Sequence, residues 1–211
     1  VQACEAVVRH DMFLTLAVNL TEQNADEISD LHALSNRLGA GIVVNTAINV
    51  RHDGATNSVQ YRATESSMKK AMMENPSLFY NDMTDFNPER FMQCSCARQN
   101  CAITTNGEVY PCINAPIVAG NVRQQSFKDI WDNSPVFNRI RGLTQSEFKD
   151  CGGCLYKPWC RRSSGNVFTN TGDYTGSDPH TCLEANVHRQ IWEDEHGPVD
   201  VEKTYEFYRQ Q

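Results

Sequence analysis

CGGCLYKPWCRRSS, residues 151–164, spaces three cysteines as C-x2-C-x5-C and ends in Ser163 and Ser164. Soft thiolates select zinc or iron–sulfur clusters. Structural zinc usually pairs two C-x2-C knuckles, and this chain has one, at Cys151 and Cys154. Cys160 follows it, and Cys182 lies beyond a longer loop; Cys94, Cys96, Cys101 and Cys112 form a second group upstream without a C-x2-C pair. Four cysteines taken from scattered loop positions suit a [4Fe–4S] cube better than tetrahedral zinc. Two such groups predict two clusters.

The rest of the composition supports reduced, metal-binding thiols. Of nine cysteines in 211 residues, eight lie between Cys94 and Cys182 and only Cys4 lies outside. A disulfide framework is the competing reading, but it belongs to short secreted chains with a signal peptide. The opening residues, VQACEAVVRHDM, mix charges with small apolar residues and have no signal-peptide pattern. A cytoplasmic location is therefore expected. The formal net charge of −7 argues against a nucleic-acid partner. No apolar run approaches a membrane span.

Two regions differ in character. In the first, MFLTLAV (residues 12–18) reads as a strand buried on both faces. ADEISDLHALSNRLG (25–39) reads as an amphipathic helix with Asn24 and Glu27 as a capping box and Gly39 as its stop. GIVVNTAINV (41–50) is a second buried strand, and Thr64 caps a helix over ESSMKKAMMEN (65–75). Strand, helix and strand make a βαβ unit, but two strands cannot close a parallel sheet. Together with an opening that reads as the tail of an amphipathic helix, this suggests a piece of a larger α/β domain, completed by further chain or by a partner. From about Phe91 the periodicity is lost. Asn106-Gly107 predicts a hairpin with a type I′ turn between Cys101 and Cys112. Ser126 and Pro135 open two short helices, the chain after Cys154 reads as irregular to Cys182, and residues 182–194 form a final helix.

Cys94, the Gly107-x4-Cys112 step, Cys151-x2-Cys154-x5-Cys160 and Cys182 resemble the SPASM domain, the auxiliary-cluster module of radical S-adenosylmethionine (SAM) peptide maturases. GEVYPC (107–112), GNVRQQSFKDIWDNS (120–134) and TGDYTGSDPHTCLEA (171–185) are similar to SPASM sequence, and residues 14–54 are similar to the last strands of the partial (β/α)6 barrel of those enzymes. The resemblance implies an α/β chain: the C-terminal part of the barrel over 1–75, a linker over 76–92, an irregular α+β SPASM domain with a hairpin and short helices over 93–183, and a C-terminal helix over 184–211. It implies one or two auxiliary [4Fe–4S] clusters that position a peptide or protein substrate or relay electrons, with a flavodoxin or ferredoxin as reductant. Cys151, Cys154, Cys160 and Cys182 would hold the second cluster. Cys94, Cys101 and Cys112 would hold three corners of the first, whose fourth ligand in the family falls shortly after the position of Cys160, where this chain has Ser163 and Ser164. An open iron, substitution by Cys96, and loss or lower nuclearity of that cluster are the three readings. A serine alkoxide is a poor ligand because hydroxyls ionise far above thiols.

The C-x3-C-x2-C motif whose cluster chelates SAM in that family is not in this sequence, since Cys4 alone precedes residue 94. The chain by itself is not expected to cleave SAM, and the missing barrel half would come from a longer protein or another chain. Ile113 follows Cys112, where sulfatase maturases carry a basic aspartate, so the resemblance favours maturases of ribosomally made peptides. Asn19, Asn45, Arg51 and Asp53 fall at or just past strand C-termini, where α/β barrels place their chemistry. Asn19 and Asn45 are candidate SAM contacts and Arg51 a candidate partner for a peptide carboxylate; no catalytic residue can be named. His180 and His188 read as surface histidines, Trp131 and Trp159 as packing residues. The alternative to an enzyme is a SPASM-like or zinc-bound scaffold serving as a peptide-binding adaptor.

Overall fold

The computed structural model describes residues 1–79 and 94–200 as a mixed α/β chain. Helix α1 (Gln2–Arg9) leads into strand β1 (Thr15–Asn19), helix α2 (Ile28–Leu38) and strand β2 (Gly41–Asn45). The two strands pair in parallel, from Thr15 with Gly41 to Asn19 with Asn45. This is the βαβ unit that the sequence pattern implies. Gly39 stops α2 with φ of 65°, a left-handed conformation that favours glycine. Neither strand is buried on both faces, as the apolar runs suggest; both alternate between exposed and half-buried residues. The reason is topological: each strand has one neighbour and one packed face. Phe13, 91% exposed, lies before β1, and Val43, 58% exposed, sits on the open face. The capping box at Asn24 does not form. Ala25–Glu27 is a 3-10 turn, and the Asn24 side chain instead accepts from the Thr21 N–H at 2.8 Å and donates to the Asn19 carbonyl at 2.9 Å.

Helix α3 (Glu65–Glu74) starts where expected, with the Thr64 hydroxyl accepting from the Ser67 N–H at 3.3 Å. Pro76 begins a further short helix, α4 (Pro76–Phe79), because proline suits a first helical position as well as a stop. The remainder of the expected linker, 80–92, lies outside the described residues, as do residues 201–211 of the expected C-terminal segment. In the cysteine-rich region, β3 (Ala102–Ile103) and β4 (Glu108–Tyr110) form the hairpin and β5 (Gly120–Asn121) adds a third antiparallel strand. Its turn is not type I′. Gly107 alone has positive φ, at 84°, and its N–H bonds the Thr104 carbonyl at 2.9 Å. A type I′ turn needs positive φ at both central residues, and Asn106 lacks it.

Helices α5 (Phe127–Asn133) and α6 (Pro135–Arg141) follow, with the Ser126 hydroxyl capping α5 and Pro135 opening α6. Ile130, Phe137 and Ile140 on their inner faces form a core with Val109 of β4 and Ala97. Trp131 packs edge-on against Phe137. A short helix α7 (Lys149–Gly152) carries Cys151. The stretch between Cys154 and Cys182 is not irregular, since it holds helix α8 (Ser164–Thr171). Its composition, SGNVFTNT, is poor in helix formers, and the Ser163 hydroxyl capping the Asn166 N–H and left-handed Gly172 define its ends. Helix α9 (Pro179–His196) starts three residues before Cys182, capped by Asp178. Among the described residues no helix is long and apolar enough to cross a membrane.

The two regions share a core. Met68, Ala71 and Met72 of α3 are buried with Val187 and Ile191 of α9, alongside Leu20 and Ile28. Polar bonds extend the seam: Thr46 donates to Glu184 at 2.7 Å, the Val50 N–H to Asn170 at 3.0 Å, and Asn49 to Asn166 at 3.0 Å. This is why β2 ends at Asn45 and not at Val50: the residues after it are drawn onto α8 and α9. Ile191→Ala should therefore destabilise the whole chain by about 2–5 kcal/mol. Urea melts followed separately by far-UV circular dichroism and Trp fluorescence should shift together; divergent midpoints would mean two independently folding halves.

Candidate metal centre

The thiols fall into two groups. Cys151 lies in α7 and Cys154 two residues after it ends, Cys160 ends a 3-10 turn over Lys157–Trp159, and Cys182 sits in the first turn of α9. Three of these thiols are pushed above their ordinary value: burial is the main cause at Cys151, Cys160 and Cys182, and the other thiols of the set add to it. Cys160 is pushed up to about 12. The mutual effect places all four in electrostatic reach of one another.

The second group consists of Cys94, Cys96 and Cys112. The Cys94 thiol donates to the Cys96 sulfur at 3.1 Å, and Cys96 in turn bonds Cys112. That relay raises Cys94, pushes Cys96 up to about 11 and lowers Cys112. Cys101 stands apart. Its thiol is raised by burial alone and packs on the Val109 and Phe137 core. The hairpin pairs Ala102 with Tyr110, yet Cys101 packs on the core while Cys112 bonds Cys96. Cys4 is likewise remote, near the middle of α1.

Backbone N–H groups converge on these sulfurs. Cys94 receives those of Cys96 and Ser164, Cys112 those of Asn114 and Ala115, Cys160 that of Arg162, and Cys154 that of Tyr156 at 3.4 Å. The start of α8 is pressed against the first group. A Cβ on Gly165 would lie 2.4 Å from the Cys112 sulfur, so only glycine allows the approach. Ser164 therefore offers its N–H to Cys94, while its hydroxyl accepts from Arg162 at 2.6 Å. Ser163 spends its hydroxyl on the helix cap. Neither serine hydroxyl has a thiol as its partner in these bonds.

The Tyr174 hydroxyl faces Cys94 and Cys96, is buried, and has no hydrogen bond of normal geometry. A buried polar hydrogen beside a thiol group is suited to an acceptor there. Among the described residues no three His, Cys, Asp or Glu side chains meet around a single point where one ion would sit. The thiols are grouped without meeting, a disposition that a polynuclear cluster accepts because each thiolate takes its own iron. With soft donors, N–H groups aimed at sulfur and an orphaned hydroxyl, the residues fit iron–sulfur clusters.

Of the strand-end candidates, Asn45 lines a polar cavity of about 210 Å³ with Thr46, Arg161, Asn166, Glu184 and His188. Asn19 is exposed at the end of β1, and Arg51 pairs in solvent with Asp53 at 3.0 Å. His180 and His188 are not surface residues: they are 7% and 2% exposed. His180 bonds the Thr46 carbonyl at 3.0 Å, and His188 lies 3.8 Å from Glu184. Both occupy the inner face of α9, which packs on the first region. Burial works to raise the Glu184 carboxyl, but bonds from His188 and Thr46 outweigh it and hold the group below its ordinary value. Sequence reading missed Glu184, Arg162 and Tyr174. The Glu184–His188 spacing of four along one helix was the available signal; nothing in the sequence marks Arg162 or Tyr174.

Residues 94–155 match the family model of the SPASM iron–sulfur cluster-binding domain. The chain is 38% identical to an AdoMet-dependent heme synthase of Methanosarcina barkeri over 39% of this chain and 23% of that protein. It is 25% identical to a PqqA peptide cyclase of Gluconobacter oxydans over 93% of this chain and 58% of that protein. With the mycofactocin maturase MftC of Mycobacterium ulcerans it shares 29% identity over half of this chain. The chain thus spans about a quarter to three fifths of the length of these curated relatives.

Gly165→Ala should cost about 1–3 kcal/mol through overpacking against the Cys112 sulfur; thermal melts would check it, and an unchanged melting temperature would contradict the close approach. The stability that Glu184 contributes is fully present above its ordinary value of 4.5 and is lost as pH falls through its lower folded value. Glu184→Gln should remove that limb from the acid-denaturation profile.

Proposed function

We propose, from the premise that the chain belongs with the radical SAM/SPASM proteins and carries a SPASM domain at residues 94–155, that it is the C-terminal portion of a maturase that modifies a ribosomally made peptide. What supports this reading is that Cys151, Cys154, Cys160 and Cys182 lie within electrostatic reach of one another inside and just beyond the matched SPASM span. These residues would hold one auxiliary [4Fe–4S] cluster. Cys94, Cys96 and Cys112 would hold the second, with Cys96 in the place first given to Cys101. Bound clusters supply one-electron storage and a fixed anionic surface; the chain supplies N–H donors, Arg162 and exclusion of water. The fourth corner of the second cluster is left open, because the Ser164 hydroxyl is engaged by Arg162 and that of Ser163 by the cap of α8.

A peptide is favoured as substrate because the match to the peptide cyclase of Gluconobacter oxydans runs through both regions, 93% of this chain. The heme synthase match is stronger in identity but confined to 83 residues, so it speaks for the module more than for its substrate. SAM binding and radical generation belong to the part of the barrel that carries C-x3-C-x2-C, with Asn45 placed at a strand end beside the polar cavity. A non-catalytic zinc scaffold is the competing reading.

Anaerobic iron and sulfide analysis with an absorption spectrum separates these readings. About eight irons per chain is the expected result for two cubes, and zinc without visible absorption would refute the proposal. Ser164→Cys should change the spectrum of the Cys94 group alone. The same change in Cys101→Ser would restore Cys101 as a ligand and remove Cys96 from the set.

A further inference from the structure

The polar cavity at the end of β2 lies where the two regions meet. Asn45 and Phe79 line it from the first region, and Arg161, Asn166, Glu184 and His188 from the second. Its volume is about 210 Å³. Pockets that enclose whole small molecules span roughly 300–1,000 Å³, so this one has room for a side chain.

The hydrogen-bonding groups left open on its wall are mainly donors. The Val50 N–H fixes the Asn170 oxygen as an acceptor at 3.0 Å, so the Asn170 amide nitrogen donates to the Asn49 oxygen at 3.1 Å, and the Asn49 nitrogen to the Asn166 oxygen at 3.0 Å. That relay turns the Asn166 NH2 group away from the network, and it has no partner among the described residues. The Ala47 N–H fixes the Asn45 oxygen in the same way, at 3.1 Å, and leaves the Asn45 NH2 group open. The Arg161 side chain is exposed and has neither a hydrogen bond nor an ion pair among the described residues. The His188 ring, 2% exposed, lines the same cavity, and its Nδ1 is buried without a hydrogen bond. A buried polar atom left unsatisfied marks a place for a bound group. Glu184 is the one acidic residue among the described lining residues. One of its oxygens accepts from the Thr46 hydroxyl at 2.7 Å and lies 3.8 Å from His188 Nε2.

We infer that this cavity takes the carboxylate of an acidic side chain, aspartate or glutamate, of the peptide substrate, an inference that rests on the reading of the chain as part of a peptide maturase. A guanidinium and two amide NH2 groups suit an acceptor with several lone pairs, and a planar carboxylate matches the guanidinium fork. A cationic side chain would meet the charge of Arg161 and leave both NH2 groups unused. Arg161 directly follows Cys160. An acidic residue bound there sets the peptide beside the group of Cys151, Cys154, Cys160 and Cys182. Arg161, Asn45 and Asn166 are binding residues and take no part in bond making.

The test is saturation-transfer nuclear magnetic resonance on the anaerobically reconstituted chain. The probes are N-acetyl-glutamate N-methylamide, its aspartate, glutamine and lysine counterparts, free glutarate and SAM. The better of the two acidic compounds should bind about tenfold more tightly than the glutamine compound, the factor expected of one charge-assisted contact. R161Q and N45D should each abolish that preference. N45D keeps the acceptor for the Ala47 N–H and replaces the NH2 group with a second carboxylate oxygen. Glu184→Gln should strengthen binding, because it removes the anion from the lining. Equal binding of the acidic and glutamine compounds, tightest binding of the lysine compound, or a preference that survives R161Q and N45D would overturn the inference. Binding of glutarate or SAM without the blocked residues would also overturn it, by assigning the carboxylate to a free small molecule. Where R161Q does not fold, N45D decides by the same criteria. Iron content is read on the same samples. Iron-loaded protein without the acidic preference overturns this inference alone, and iron-free protein that keeps the preference overturns the cluster reading and leaves the site.

Discussion

A buried guanidinium dictates the conformation of everything around it. Arg162 holds two carbonyls from the 174–176 loop, one hydroxyl from the start of α8 and a thiol from α7. Each of those partners lies in a segment with little regular structure of its own. The loop, the helix start and the short α7 would otherwise be placed by weak local preferences. Satisfying one cation at every nitrogen selects a single arrangement of all three. The positions of Cys151, Cys94 and Cys112 follow from it, since the first bonds Arg162 and the other two abut Ser164 and Gly165.

The seam between the regions is of a different kind. Its centre is apolar, with Met68 and Met72 of α3 against Val187 and Ile191 of α9. Its edge is a set of amides, in which Asn166 accepts from Asn49 at 3.0 Å and from Asn114 at 2.7 Å. Asn166 is on the helix that begins at the Cys112 contact. The end of β2, the hairpin region and the first thiol group are therefore tied to one short helix. A strain introduced at α8 would be felt at both the strand ends and the sulfurs.

Much of this was legible in the sequence, and the limits are instructive. Helix α2, the cap at Thr64, the hairpin at Gly107, the cap of α5 and the proline start of α6 all rest on local signals, and each of these elements forms. The C-x2-C-x5-C spacing singles out Cys151, Cys154, Cys160 and Cys182, whose thiols influence one another electrostatically. Tertiary demands defeated local reading elsewhere. Asn24 prefers a turn with Thr21 to a cap. SGNVFTNT is helical although its residues favour a helix poorly; the Ser163 cap and left-handed Gly172 bound it, and Gly165 lets it pass Cys112. His188 lies inside because α9 packs on α3, which no window of sequence around it records.

The proposed exchange of Cys101 for Cys96 turns on how the backbone holds each residue. Cys101 begins the hairpin and faces the core with Val109 and Phe137, so it serves as a small apolar residue there. Cys96 precedes Ala97, whose φ of 59° turns the chain sharply. A non-glycine residue in that conformation is strained and persists only where its surroundings require it. Here the turn is fixed by the Ala97 N–H bonding the Asn100 carbonyl at 3.0 Å and the Pro111 carbonyl at 3.1 Å. Those bonds hold the chain just after Cys96 against the end of β4, within reach of Cys112. A buried neutral thiol would not need that arrangement, since it packs as readily as Cys101 does. Under the proposed ligand set, that strain is what brings a second sulfur to Cys94 and Cys112.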